Sequence, residues 1–361
     1  MESEQRRVDR RRFLRQTAAG AVAGIAASQL AVFAEPPDPG AVRSYNPGME
    51  YRPLGKTGLF LSAVCLGGHW KRVDRVVPSA FQPGSWLDTN LDDEGFQRNR
   101  ADVVSRCIEH GINYIDACVS AEVMAYSRAL RGRREAVYLG FSWAEEEMRN
   151  EDFRTEAALL GSLDKGLRAA ELDYVDLWRI TMHEQSSRHT DAEVEEMMKA
   201  LAKAKEQGKA RFAGFSSHDR PHIKKLIEQY PDVVDAVCTP YTANSKELPQ
   251  DSLFGAVREH RVGVIGIKPF ASGSLFANDA EPSDENSERA RLAIRYILAN
   301  DAITAPIPGL AEPSQVDNVV LAVQERRKLD MAEQARLKDA TAEMTANLPE
   351  DYQWLRDWEW V

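Results

Sequence analysis

The sequence is poor in the residues that build metal and redox centres. Its 361 residues include four cysteines and seven histidines. Cys65, Cys107, Cys118 and Cys238 show no CxxC spacing, so an iron–sulfur cluster or a structural zinc site lacks its ligand pattern. Three of them fall within or at the ends of strand candidates and one in a helix candidate, as buried free thiols do. No HExxH, no clustered His/Asp ligand set and no GxSxG occurs, which argues against metal and serine-hydrolase chemistry. The formal charge is −10 and no basic stripe is present, which argues against nucleic-acid binding, since phosphate contacts need clustered cations. No GxGxxG follows the first strand candidate, and a doubly wound sheet is disfavoured accordingly.

What is present begins with an export-like segment. Arg10-Arg11-Arg12-Phe13-Leu14-Arg15 precedes a small, weakly apolar run from Thr17 to Ala34. A basic start, an apolar middle and small residues at the end read as a signal peptide over residues 1–34, and the paired arginines resemble a twin-arginine signal. The run is rich in Ala, Gly and Ser and barely reaches spanning length, so a membrane anchor is the weaker reading. Cleavage after Ala34 would remove six arginines and three acids, taking the formal charge from −10 to −13. The expected consequences are a periplasmic location, the twin-arginine machinery as a partner, and no stable membrane span in the processed chain. Residues 35–50 read as a linker.

From Tyr51 onward, apolar runs alternate with helical patterns. Strand candidates are 61–66, 112–116, 136–141, 174–180, 210–215, 234–238, 262–268 and 303–307. Helical patterns lie near 94–110, 122–131, 151–171, 191–207, 219–229, 250–260, 286–300 and 313–326. Short apolar runs bounded by turn residues are strands buried on both faces. Eight strands, each followed by a helix, predict a (β/α)8 barrel over 51–328. A long first βα loop, 69–93, is expected to be functional or mobile. A C-terminal helix and an aromatic tail, DYQWLRDWEWV, occupy 329–361; the tail is expected to pack on the barrel mouth, because exposed it would be an association patch.

In such a barrel the active site sits at the C-terminal strand ends. Those ends carry Gly67-Gly68-His69-Trp70, Asp116, Phe141-Ser142, Thr181-Met182-His183, Ser216-Ser217-His218, Cys238–Tyr241, Lys268-Pro269-Phe270 and Pro308-Gly309. Several phrases recur in a recognisable order: YRPLGKTGLFLS from Tyr51, GINYIDA ending at Ala117, LDYVDL at Leu172–Leu177, Gly214-Phe215-Ser216, Lys268-Pro269-Phe270-Ala271-Ser272-Gly273, and Ile307-Pro308-Gly309 followed by Gln315 and Asn318. Each is weak alone, but the ordered series over about 51–325 resembles the aldo/keto reductase family.

The resemblance implies carbonyl reduction by hydride from NADPH, with a tyrosine proton donor tuned by lysine, aspartate and histidine. A phenol needs a nearby cation to donate at neutral pH. Asp116 matches the family aspartate. Ala121 stands where the tyrosine is expected, Ser142 where the lysine is, and Thr181 where the histidine is; Tyr126 lies inside a helix, where core packing is expected. His183 and Lys268 are the candidate substitutes. The implied cofactor site, for NADP or NAD, comprises Trp70, Ser216, Ser217, Lys268, Phe270, Ser272, Gly273, Gly309, Gln315 and Asn318. Hydroxyls and backbone amides there can hold a pyrophosphate without a Rossmann glycine motif. An exported oxidoreductase acting on a small-molecule carbonyl or sugar-like hydroxyl is the leading expectation. A non-catalytic barrel and a redox-neutral epimerase or lyase are the alternatives.

Overall fold

The computed structural model describes residues 38–82, 88–247, 253–276, 283–325 and 328–357. The signal-peptide reading of 1–34 and the tail residues Trp358 and Trp360 lie outside them.

The chain enters through an antiparallel hairpin, β1 (Tyr51–Pro53) and β2 (Phe60–Ser62). Gly55 makes the turn possible: its φ is +52°, and a Cβ there would strike the backbone of Arg261 and Gly263. Leu54, Leu59 and Leu61 pack with Tyr114, Tyr138, Leu177, Cys238, Ile265 and Ala305. The hairpin thus plugs the N-terminal end of the barrel with apolar side chains. The strand expected at 61–66 is two elements. Ser62 Oγ donates to Val64 O at 2.7 Å and its amide donates to Asn113 Oδ1 at 2.8 Å. Those bonds end β2, and only β3 (Leu66–Gly67) joins the barrel.

Seven further strands follow: β4 (Tyr114–Ala117), β5 (Tyr138–Phe141), β6 (Val175–Thr181), β7 (Ala210–Ser216), β8 (Ala236–Pro240), β9 (Gly263–Ile267) and β10 (Ala305–Pro306). Each pairs in parallel with its sequence neighbours. The ends of the sheet meet where the Cys65 amide donates to Pro306 O at 3.1 Å and the Gly67 amide to Pro308 O at 2.8 Å. Helices α1 (Glu94–Glu109), α2 (Ser120–Ala129), α3 (Glu156–Ala169), α4 (Asp191–Glu206), α5 (Arg220–Gln229), α6 (Leu253–His260), α7 (Asp284–Leu298) and α8 (Pro313–Gln324) alternate with the strands. This is the expected (β/α)8 architecture.

Capping fixes several helix starts. Asp93, Thr155, Thr190, Asp219 and Ser283 each accept an amide of the first turn, a contact worth about 0.5–2 kcal/mol each. On α1, Phe96, Val103, Val104 and Cys107 are buried, the one-face spacing of a helix laid on a core.

Residues 38–50, read from sequence as a linker, are held against the N-terminal face. Arg43 donates to Val137 O at 2.6 Å and pairs with Asp176 at 3.3 Å. Asp176 is fully buried between Arg43, Arg134 and Arg211. Burial opposes its charge, but the three arginines outweigh burial and hold its carboxyl below the ordinary value. At the other end, α9 (Met331–Ala346) docks through a buried Arg295–Glu333 pair at 2.9 Å. Leu337, Met344, Leu348 and Leu355 pack on Ala271, Leu275 and Leu292. The tail therefore lies over the loop that follows β9. All four cysteines are free thiols, three of them buried.

Candidate active site

Asp116 sits near the C-terminal end of β4 and is 2% exposed. Its carboxylate accepts from Arg179 Nε at 2.8 and 3.0 Å, from Arg179 Nη2, and from the Tyr114 hydroxyl at 2.9 Å. Arg179 reaches it from β6, across β5. Gly140 permits this, since it pairs with Asp116 on one side and Leu177 on the other. A Cβ at Gly140 would strike the Tyr114 hydroxyl and lie 2.7 Å from Asp116 Oδ1. Burial alone would lower the Arg179 pKa, but Asp116 reverses this and raises it well above its ordinary value. The cation paired with Asp116 is thus an arginine on the fourth barrel strand.

The positions where the resemblance implies lysine and histidine are linked hydroxyls. Ser142 Oγ and Thr181 Oγ1 lie 2.8 Å apart, and Arg179 Nη1 donates to Thr181 Oγ1 at 3.3 Å. Buried Glu147 organises them, accepting from Ser142 Oγ at 2.5 Å, Thr181 N at 2.7 Å and Trp143 N at 3.0 Å. Burial raises the Glu147 carboxyl above its ordinary value, and these donors only partly offset it. Tyr126 is fully buried, and its hydroxyl donates to Gly67 O at 2.8 Å. Burial pushes that phenol up, so it is spent on structure.

Above this floor opens a cleft of about 860 Å³, within the roughly 300–1,000 Å³ of ligand and cofactor sites. Asp116, Trp70, Ser216, Lys268, Phe270, Ser272, Gly273, Gly309, Gln315 and Asn318 all line it. Two sequence candidates do not. His183 lies on the loop after β6, where its Nδ1 accepts from the Gln185 amide at 3.2 Å and its Nε2 lies 3.4 Å from Arg188. Ser217 is 2% exposed and its Oγ donates to Glu184 O at 3.0 Å and Ser186 Oγ at 2.8 Å. The loop turns both side chains toward its own backbone.

The two ends of the cleft differ. The floor is Asp116, Arg179, Thr181 and Cys118, whereas the rim carries Lys71, Arg72, Arg75, Arg149 and Lys268. Among the described residues, Asp116 and Glu312 are the acids of the lining. Basic side chains thus outnumber acidic ones among the described residues of the lining, the composition that suits an anionic ligand. The loop after β9 is strained in the same place: Lys268, Ala271 and Ser272 take φ of +58°, +45° and +59°. Strain of this kind, about 1–3 kcal/mol per residue, persists where the surroundings over-determine the backbone, as at ligand clamps. Gly273 follows at φ +92°, and a Cβ there would strike the Arg72 guanidinium.

The tail closes this rim, an element no single motif announces. The Lys71 ammonium donates to the Tyr352 hydroxyl at 3.3 Å, and the Lys268 ammonium lies 5.1 Å from the Tyr352 ring centre. Trp354 stacks on His218, with centroids 4.6 Å apart. Burial would raise the Tyr352 phenol; Lys268, a bond with Ser272 and Lys71 outweigh it, and the phenol falls below its ordinary value. Burial, with Lys268 and Arg149 nearby, pushes His218 well below the usual histidine range.

Comparison with known proteins identifies relatives of this chain. An L-galactose dehydrogenase of Arabidopsis thaliana is 27% identical over 322 residues, covering 78% of this chain and 91% of its own. An aldo-keto reductase of Schizosaccharomyces pombe, yakc [NADP(+)], is 28% identical over 180 residues, 47% of this chain and 50% of its own. The holo form of aldo-keto reductase AKR11C1 from Bacillus halodurans shares the fold, with a TM-score of 0.58 at 21% identity over 84% of this chain and 99% of that one. A model of the aldo/keto reductase family matches residues 84–291. That match spans more than half of the sequence, and the chain belongs to the aldo/keto reductase family.

Proposed function

We propose that the protein is an exported NAD(P)-dependent oxidoreductase acting on a carbonyl or sugar-like hydroxyl, with a catalytic set built on Asp116 and its partner Arg179 and lacking the family's tyrosine and lysine. The observation that carries this is the cation-rimmed cleft lying directly over the buried Asp116–Arg179 pair. A dinucleotide fits its chemistry: Lys71, Arg72 and Lys268 with the Ser272 and Gly273 backbone suit the phosphates, and Ser216, Gln315 and Asn318 offer polar contacts along the groove. When bound, the cofactor supplies or accepts hydride. The residues of the floor position the reacting carbon, exclude water and fix one positive charge beside it. Similarity to an L-galactose dehydrogenase supports a sugar-like substrate, and similarity to an NADP(+)-named reductase supports NADP.

The basic run Arg10–Arg15 ahead of the small apolar stretch supports delivery by the twin-arginine route to the periplasm. That route suits a protein folded around its cofactor before export. Among the described residues no helix is long and apolar enough to cross a membrane.

A non-catalytic barrel is the competing reading, favoured by Ala121, Ser142 and Thr181 at the family's proton-handling positions. Fluorescence titration with NADPH and NADH separates the two. Saturable binding of at least one, weakened about tenfold or more by Lys268→Ala, agrees with the loss of a charge-assisted phosphate contact. Absence of binding by both contradicts the oxidoreductase reading.

A further inference from the structure

We propose that His69, oriented by Glu122, is the proton-transfer residue of this site. The assignment rests on the oxidoreductase reading above and supplies the step that Ala121 cannot perform.

The dyad is built by the first and second barrel strands together. His69 follows Gly67-Gly68 at the end of β3, and Gly67 pairs in register with Asp116. The backbone turns directly after the strand, the Trp70 amide donating to Gly68 O at 2.7 Å. The imidazole lines the cleft, with 43% of the side chain exposed. Its Nδ1 lies 2.6 Å from Glu122 Oε1. Glu122 is 1% exposed, and its other oxygen accepts from the Cys118 amide at 2.7 Å and the Val119 amide at 3.4 Å. These amides immediately precede α2, whose dipole favours a negative charge at its N-terminus. Gly68 is required for the contact, since a Cβ on it would strike the Glu122 carboxylate. Glu122 is adjacent in sequence to Ala121, so the dyad occupies the corner from which a tyrosine would otherwise act.

The chemistry follows from that geometry. A carboxylate accepting from Nδ1–H fixes the tautomer and leaves Nε2 as the working nitrogen. Imidazole exchanges a proton near neutral pH without the cation that a phenol requires. In the reducing direction the carbonyl carbon accepts a hydride and the π pair moves to its oxygen. That oxygen takes the proton from Nε2 of the imidazolium, which becomes neutral and keeps Nδ1–H on Glu122. The nicotinamide is oxidised in the same step, so charge and atoms balance. Among the other candidate donors, Tyr126 is buried on Gly67 O, His183 is outside the cleft lining, Tyr352 is held by Lys71 over the β9 loop, and His218, also in the lining, is stacked on Trp354 and kept neutral by burial.

The test uses the full chain with NADPH and 4-nitrobenzaldehyde as probe, alongside 15N-histidine spectra. His69→Gln is expected to lower kcat about 10²–10⁴-fold, the usual size of general acid catalysis, while the NADPH Kd stays within about twofold, since the dyad touches the reacting oxygen and not the phosphates. Wild-type spectra should place the neutral His69 proton on Nδ1, assigned by its disappearance in His69→Gln. Glu122→Gln should move that tautomer balance and lower kcat, with partial rescue in Glu122→Asp. An unchanged kcat in His69→Gln with intact NADPH binding, or an Nε2–H tautomer in the wild type, would overturn the assignment alone. Failure of the wild type to bind NADPH would overturn it together with the oxidoreductase reading.

Discussion

One ion pair decides how the site is built. Asp116 was legible from its phrase, because GINYIDA places an aspartate at a strand end where barrel sites form. Its partner Arg179 was not. Whether a strand residue faces the barrel interior depends on register, which sequence spacing alone leaves open. The available signal was an arginine in the buried run VDLWRIT, which also holds Asp176, since a charge there must be paired. The same limit misplaced His183, whose imidazole folds back onto Gln185, and passed over His69, whose partner Glu122 lies 53 residues away in sequence. Removing one member of a buried pair leaves the other charge uncompensated, at a cost of about 3–5 kcal/mol. Arg179→Met should therefore destabilise the protein by about that amount in urea unfolding; an unchanged midpoint would mean the pair is not desolvated.

The elements were read more readily than their side chains. The observed barrel strands from β4 onward overlap their expected runs, because each is an apolar stretch bounded by turn residues. The first strand was misread because Ser62 and Asn113 break an otherwise apolar run. Tail docking was expected from its aromatic content, but the lysine contacts that hold it were not visible without coordinates. They make a titration prediction. With its phenol shifted down by Lys268, Ser272 and Lys71, Tyr352 should ionise below the tyrosines that burial shifts up, among them Tyr114, Tyr138 and Tyr296. Tyr352→Phe should remove the early part of the alkaline tyrosinate transition; an unaltered transition would place the tail elsewhere.

The loops after β6 and β7 carry their own pH dependence. His189 Nε2 accepts the His183 amide at 3.2 Å, and burial, with Arg154 nearby, lowers its pKa to about 4. The unfolded chain takes up that proton near the ordinary value of about 6.5. Between these limits the unfolded state binds more protons, so stability is full above about pH 6.5 and is lost as pH falls toward about 4. His222 is shifted in the same direction by burial. The melting temperature should fall from pH 7 to pH 5, and His189→Gln, which keeps an acceptor, should flatten part of that decline. An equal decline in both proteins would remove His189 as a contributor.

For the whole molecule, the barrel class was readable because eight strand–helix repeats leave few alternatives. The proposed export rests on Arg10 and Arg11, so their joint replacement by lysine should retain the protein in the cytoplasm with NADPH affinity unchanged; undiminished export would contradict the proposed route. The central claim is that a cation-rimmed cleft over Asp116 and Arg179 performs hydride chemistry without the family's tyrosine. Its most direct test is a single-turnover experiment, mixing the NADPH-loaded full chain with 4-nitrobenzaldehyde and following reduced nicotinamide by absorbance. The predicted result is a decay in the wild type that Asp116→Asn, by disturbing the fixed charge of Arg179, slows by about 10²-fold or more at equal NADPH occupancy. No decay in the wild type, or the same decay in both proteins, would contradict it.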